Sequence, residues 1–129
     1  MDPDDPMDVL IVEKDADLGR LWQRHIERQG ARVTVTQTAE AGFERLREGH
    51  IDMIVADLDL PGSGAMAVAD YAAYRHPAAK VVFVTASSFF SDGMVFSMSP
   101  NACAFLPSKT SPEDLATIVS HHGDRVAKH

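Results

Sequence analysis

Five short apolar runs recur along this 129-residue chain and limit the folds open to it. They are rich in β-branched residues and, apart from Thr34, contain no polar residue. Such runs are typical of strands in a parallel sheet that is covered on both faces. We therefore predict five strands, around Val9–Val12, Val33–Val35, Met53–Ala56, Val81–Val84 and Cys103–Leu106.

Helical patterns with recognisable ends lie between most of these runs. A side-chain cap predicts three helix starts, at Asp15, Thr38 and Ser111, and a Pro-Gly turn over residues 61–64 precedes another helix. Expected helix ends lie at Gly30, Glu48, before Pro77, and at Gly123. Alternation of strand and helix indicates an α/β fold with right-handed crossovers.

The segment Ser87–Asn101 stands where a further helix is due, but it suits a helix poorly. It contains Gly93, several serines and Pro100, so we expect a marginal or distorted helix. Its apolar residues either fill the core or form an exposed patch for a target protein or a second copy, together with the last helix; they are Phe89, Phe90, Met94, Phe96 and Met98.

Charge and composition limit the partners and the cellular compartment that we expect. A net charge of −7 and a pI near 5.2 disfavour nucleic acid and anionic membranes as partners, and the apolar runs are too short to span a bilayer. The single cysteine, Cys103, is compatible with a reducing compartment, so we expect a cytoplasmic protein. Residues 1–7 read as a disordered leader, 8–123 as one domain and 124–129 as a frayed tail, with no output domain.

Polar side chains follow four of the predicted strands. Because the carboxyl ends of parallel strands share one edge of the sheet, residues that leave the strands there are the natural candidates for a site. They are Glu13, Lys14, Asp57, Asp59, Thr85, Ser108 and Lys109.

These strand exits carry a resemblance to a known family. The stretches VLIVEKDADL, IVADLDLPG, VVFVTA and FLPSKTSPEDL, in this order, resemble the CheY-like receiver domain of response regulators over about residues 8–123. The resemblance implies a flavodoxin-like, doubly wound sheet of five parallel strands in order 2-1-3-4-5, flanked by five helices. It also implies a signalling module of two-component or phosphorelay systems rather than an enzyme, with a histidine kinase or phosphotransfer protein as partner.

The resemblance assigns roles to individual residues. Asp57 stands at the phosphoryl-acceptor position, Thr85 at that of the hydroxyl that hydrogen-bonds the phosphoryl group, and Phe105 at that of the aromatic switch. Mg²⁺ would be bound by the carboxylates of Glu13 and Asp57 and by the backbone carbonyl of Asp59.

Two departures from the family pattern predict an altered site. Lys14 replaces a metal-binding carboxylate, a change of two charge units that weakens Mg²⁺ binding. The family lysine is expected where Ser108 stands, and Lys109 follows one residue later, which on a strand is the opposite face. We expect Lys14 to substitute for the cation and to pair with Asp57, so that phosphoryl transfer is impaired.

Other interpretations remain open on sequence alone. The same fold can act as a phosphorylation-independent pseudo-receiver that only binds partners. The Asp57-Leu58-Asp59 motif also resembles the nucleophile motif of haloacid-dehalogenase-like phosphatases, but here it follows the third strand and precedes Leu60-Pro61. A flavin-binding flavodoxin is disfavoured because the loop after the first strand is acidic.

Overall fold

The computed structural model describes residues 6–86 and 99–127. In chain order its elements are β1 Asp8–Val12, α1 Ala16–Arg28, β2 Arg32–Thr36, α2 Ala39–Glu48, β3 Met53–Asp57, α3 Gly64–Arg75, β4 Lys80–Thr85, β5 Ala102–Pro107 and α4 Pro112–Ala127. The five predicted strands are therefore present. The marginal helix predicted within Ser87–Asn101, and its apolar patch, lie almost wholly outside the described residues.

All strand pairs are parallel, and the sheet order is β2-β1-β3-β4-β5, as the resemblance implied. In the register, Asp57 at the end of β3 lies beside Val84, and Thr85 at the end of β4 lies beside Pro107. The carboxyl ends of β1, β3, β4 and β5 therefore meet at one edge of the sheet.

Three helices begin at the caps that the sequence predicts. The Asp15 side chain accepts hydrogen bonds from the N–H groups of Asp17 and Leu18, and Thr38 accepts one from Ala41. Ser111 accepts one from the N–H of Asp114 at the start of α4. These caps satisfy N–H groups that have no partner within their helix, and they fix where the loops at the site end.

The last helix does not end at Gly123, contrary to the sequence prediction. It continues to Ala127, so residues 124–127 belong to the helix rather than to a frayed tail. A Cβ atom at position 123 would meet side-chain atoms of Met7 and Met53. Any larger residue would require the Met7 and Met53 side chains to shift, so glycine fits this close approach, at a cost within a helix of about 1 kcal/mol relative to alanine.

Alternate residues of each central strand face two separate apolar layers. One layer lies under α2 and α3 and contains Leu10, Val12, Ile54, Ala56 and Phe83. The other lies under α1 and α4 and contains Val9, Ile11, Val55, Trp22 and Leu115. Both faces of the sheet are covered, so the strands hold the groups at their carboxyl ends in fixed positions.

No helix in the described part of the chain is long and apolar enough to cross a membrane.

Candidate functional site

Two carboxyl groups are buried together at the carboxyl edge of the sheet. Glu13 follows β1 and is 2% exposed, and Asp57 ends the neighbouring strand β3 and is 4% exposed. Their side chains lie close enough for a proton on one carboxyl group to be hydrogen-bonded by the other. Asp57 Oδ1 also accepts the backbone N–H of Asp59 at 2.8 Å, which ties the loop after β3 to the site.

Glu13 is the group whose acidity is most changed. Burial raises its pKa to about 7; the hydrogen bond from the N–H of Asp15 acts against this rise, while the hydrogen bond to Asp57 and the negative charges of Asp57 and Asp15 add to it. A proton bound between two buried carboxyls relieves their repulsion. The pair therefore carries less than two negative charges near neutral pH.

Lys14 reaches across the cleft to the loop after β3. Its exposed side chain donates a hydrogen bond from Nζ to the backbone carbonyl oxygen of Asp59 at 3.2 Å. The ion pair that the sequence predicted between Lys14 and Asp57 is not formed in the part of the chain that the structure describes. The ammonium group instead contacts the oxygen that the resemblance assigned to the metal.

The Asp59 side chain has partners that the sequence did not predict. Its carboxylate oxygens accept hydrogen bonds from Thr85 Oγ1 at 3.1 and 3.2 Å and from the backbone N–H of Ala86 at 2.8 Å. Sequence reasoning gave a role only to the Asp59 carbonyl. The spacing Asp57-Leu58-Asp59 was the available signal, because a carboxylate two residues beyond a strand end can reach the neighbouring strand exit.

The remaining candidates lie around β5. Phe105 is partly buried and packs against the apolar layer under α2 and α3, where Phe83 lies beside it in the register. Ser108 donates its N–H to the carbonyl of Thr85 at 2.8 Å. Lys109 is exposed, and its side chain makes no hydrogen bond or ion pair with a described residue. The structure therefore brings Glu13, Asp57, Asp59, Lys14 and Thr85 together and does not join Lys109 to them.

The residues at this edge are a poor fit for a tightly bound Mg²⁺ ion. Magnesium requires close oxygen ligands at about 2.1 Å and carries two positive charges into the site. Here the Asp59 carbonyl oxygen is hydrogen-bonded by the Lys14 ammonium, and burial raises the pKa of the Glu13 carboxyl to about 7. A cation would have to displace the Lys14 ammonium from the Asp59 carbonyl oxygen and compete with a proton for the Glu13 carboxyl.

A groove opens beside this cleft. It has a volume of about 550 Å³, and its lining includes Lys14, Pro61 and, at the start of α2, Thr38 and Glu40. Of the residues that meet at the cleft, Lys14 alone also lines this groove among the residues that the structure describes.

A second polar group lies at the opposite, amino-terminal edge of the sheet. Oxygen or nitrogen atoms of Asp8, His50 and Asp52 lie within 4.8 Å of one another. Their contacts are structural: Asp52 accepts the N–H of Asp8 at 2.9 Å, and Arg32 pairs with the Asp8 carboxylate. The sequence indicated no such group because Asp8 lies more than 40 residues before His50 and Asp52.

Comparison with known proteins places the chain in a family with this fold. Residues 9–120 match the family described as the response regulator receiver domain. The response regulator receiver protein CpdR of Brucella abortus is 27% identical over 77 residues, which are 60% of this chain and 64% of that protein. The transcriptional regulatory protein RprY of Bacteroides fragilis is 24% identical over 92 residues, 71% of this chain and 39% of that protein. The chain thus spans less than two thirds of the length of either relative.

Among solved structures, the CheY-like receiver domain protein of Methanospirillum hungatei JF-1 has a TM-score of 0.84 at 22% identity. The match covers 96% of this chain and 98% of that one. Likeness at this identity establishes the fold, and the family match extends over most of the chain. The chain belongs to the response regulator receiver family, the signalling domains of two-component systems.

Proposed function

We propose that Asp57 is a phosphoryl acceptor with impaired reactivity, loaded by a histidine kinase or a phosphotransfer protein. The position of its carboxyl group, at the end of β3 and at the edge where four strand ends meet, supports this role. The altered charges around it account for the impairment.

The transfer step needs only the carboxylate of Asp57 as nucleophile. One of its oxygens attacks the phosphorus of a phosphohistidine, an oxygen–phosphorus bond forms, and the phosphorus–nitrogen bond breaks. The imidazole leaves and takes up a proton, and Asp57 becomes an acyl phosphate. Because charge builds up on the transferring group, the rate depends on cations placed nearby.

The observation that carries the proposal is the 3.2 Å hydrogen bond from Lys14 to the Asp59 carbonyl. It places one positive charge where the resemblance implies a divalent ion. A single ammonium on a flexible chain neutralises less charge than Mg²⁺ and cannot bind several phosphoryl oxygens as a metal does. Phosphoryl transfer is therefore slow and depends only weakly on Mg²⁺.

Lys109 does not offset this loss. It is exposed and has no partner among the described residues of the cleft, so the displaced lysine contributes at most a distant charge. Phe105, by contrast, packs beside Phe83 and is placed to link a change at Thr85 to the outer face of β5. We assign it the role of switch residue.

The test is direct phosphorylation of the full chain with acetyl phosphate, with and without Mg²⁺, followed by intact mass. We expect slow addition of one phosphoryl group, and no addition in Asp57→Ala. Addition that persists in Asp57→Ala would place the acceptor elsewhere. No addition under any condition would favour the second candidate function, a phosphorylation-independent interaction module of the same fold.

A further inference from the structure

Two hydrogen-bond donors at the exit of β4 form an anion site, and the Asp59 carboxylate occupies it. Two donors at the exit of β4, the Thr85 hydroxyl and the Ala86 N–H, converge on one carboxylate, at 3.1 and 2.8 Å. Thr85 is 3% exposed, so its hydroxyl has little access to water and needs a partner within the protein. A converging hydroxyl and backbone N–H are suited to the oxygens of an anion.

The backbone of Asp59 is fixed from two other directions. Its N–H donates to Asp57 Oδ1 at 2.8 Å, and its carbonyl accepts from Lys14 Nζ at 3.2 Å. The carboxylate therefore reaches the donors of β4 from a loop that is tied to both Asp57 and Lys14. Every polar group of Asp59 is engaged with a residue of the cleft.

We propose that the Asp59 carboxylate is an internal substitute for the phosphoryl group: it occupies the Thr85 hydroxyl and the Ala86 N–H and must be displaced before a phosphoryl group on Asp57 can use them. The competition with phosphoryl oxygens rests on the proposed function of Asp57. The contact of Asp59 with Thr85 and Ala86 does not, because it is present in the unphosphorylated protein.

Two consequences follow for signalling. Thr85 is held by an anion whether or not Asp57 is modified, so the exit of β4 stays in one arrangement. A phosphoryl group gains contact with Thr85 only at the expense of hydrogen bonds already made, which lowers its net advantage. Asp59 acts here as a positioning residue, because it works through Thr85 and Ala86.

The occupancy itself is tested without phosphorylation. In an amide NMR spectrum of the full chain, we expect the Ala86 N–H of Asp59→Ala to move upfield and to exchange faster with solvent than in the unaltered protein. Asp59→Asn, which keeps one acceptor oxygen, is expected to move it less. Asp70→Ala is the matched control, because it removes an exposed carboxylate on α3 far from the β4 exit.

The competition is tested by labelling with acetyl phosphate in a Lys14→Asp background. Removing the hydrogen bonds of one charged acceptor predicts faster labelling in Asp59→Ala, by roughly tenfold to a hundredfold. The same change in a Thr85→Val background is expected to give a smaller gain, because the shared partner is gone. An equal gain with and without the Thr85 hydroxyl would reduce the effect to loss of negative charge and overturn the competition.

The two proposals fail separately. If Lys14→Asp is not labelled but Ala86 responds to Asp59→Ala, the phosphoryl-acceptor function fails and the internal contact stands. If labelling occurs but Ala86 does not respond, Asp59 is not the occupant and this inference is refuted. Should Asp59→Ala not fold, as judged by circular dichroism, the comparison of Asp59→Asn with the unaltered protein decides in the same way.

Discussion

Replacing Lys14 by aspartate is expected to restore Mg²⁺ binding. The change removes the ammonium that contacts the Asp59 carbonyl and adds a carboxylate beside Glu13 and Asp57. The charge near the metal position changes by two units, from +1 to −1. Lys14→Met, which removes the ammonium without adding a ligand, separates the two contributions.

The size of the effect follows from Coulomb's law at a solvent-exposed position. One pair of unit charges at ~4 Å is worth about 1 kcal/mol at the dielectric constant of water. For a divalent ion and a two-unit change this gives ~4 kcal/mol before salt screening, so we expect about 2–4 kcal/mol, or roughly 30- to 1,000-fold in affinity. Half of that, roughly 5- to 30-fold, is expected for Lys14→Met.

Titration calorimetry with MgCl₂ at low ionic strength measures this directly. Arg24→Asp is the matched control, because it makes the same charge change on the exposed face of α1. If both Lys14 variants bound Mg²⁺ as weakly as the unaltered protein while remaining folded, Lys14 would not be what limits the metal. If Arg24→Asp gave the same gain, the effect would be one of net charge.

Three further predictions concern stability. The pKa of Glu13 is raised to about 7 from an ordinary 4.5, so the folded state binds this proton more tightly than the unfolded state. Protonated Glu13 therefore contributes fully to the free energy of unfolding below pH ~4.5, and the contribution is lost as the pH rises through ~7. Glu13→Gln should remove this decline, which we put at no more than about 3 kcal/mol for a shift of this size. Equal slopes of the unfolding free energy against pH in both proteins would contradict this prediction. Phe83→Ala leaves a cavity in the layer under α2 and α3 and should lower the free energy of unfolding, measured by urea denaturation, by about 3–5 kcal/mol. A loss below about 1 kcal/mol would mean that Phe83 does not pack in the core. Thr38→Ala should cost about 1 kcal/mol through the lost cap of α2, while Thr38→Ser should cost much less; equal losses would show that the hydroxyl is not what matters.

The sheet and most helix limits could be predicted because they depend on local signals. The apolar runs located the strands, and the hydroxyl or carboxylate at Thr38, Ser111 and Asp15 located three helix starts. The helix end predicted at Gly123 was wrong, because a glycine that packs closely against Met7 and Met53 looks the same in sequence as one that ends a helix.

The membership of the site was predictable, but its hydrogen bonds were not. The residues that leave the predicted strands included the five that meet there, because parallel strands end at a common edge. Which partner each side chain takes depends on distances across the sheet: Lys14 reaches the Asp59 carbonyl rather than Asp57, and the Asp59 carboxylate reaches Thr85. These contacts are non-local, so no pattern along the chain encodes them.

The central claim is that Lys14, at the position of the cation, limits phosphoryl transfer to Asp57. Its most direct test is the initial rate of acetyl phosphate labelling, by intact mass, in the unaltered protein and in Lys14→Asp at saturating Mg²⁺. The account predicts faster, Mg²⁺-dependent labelling in Lys14→Asp that is abolished by a further Asp57→Ala change. An unchanged rate in a folded Lys14→Asp protein, with Mg²⁺ bound, would contradict it.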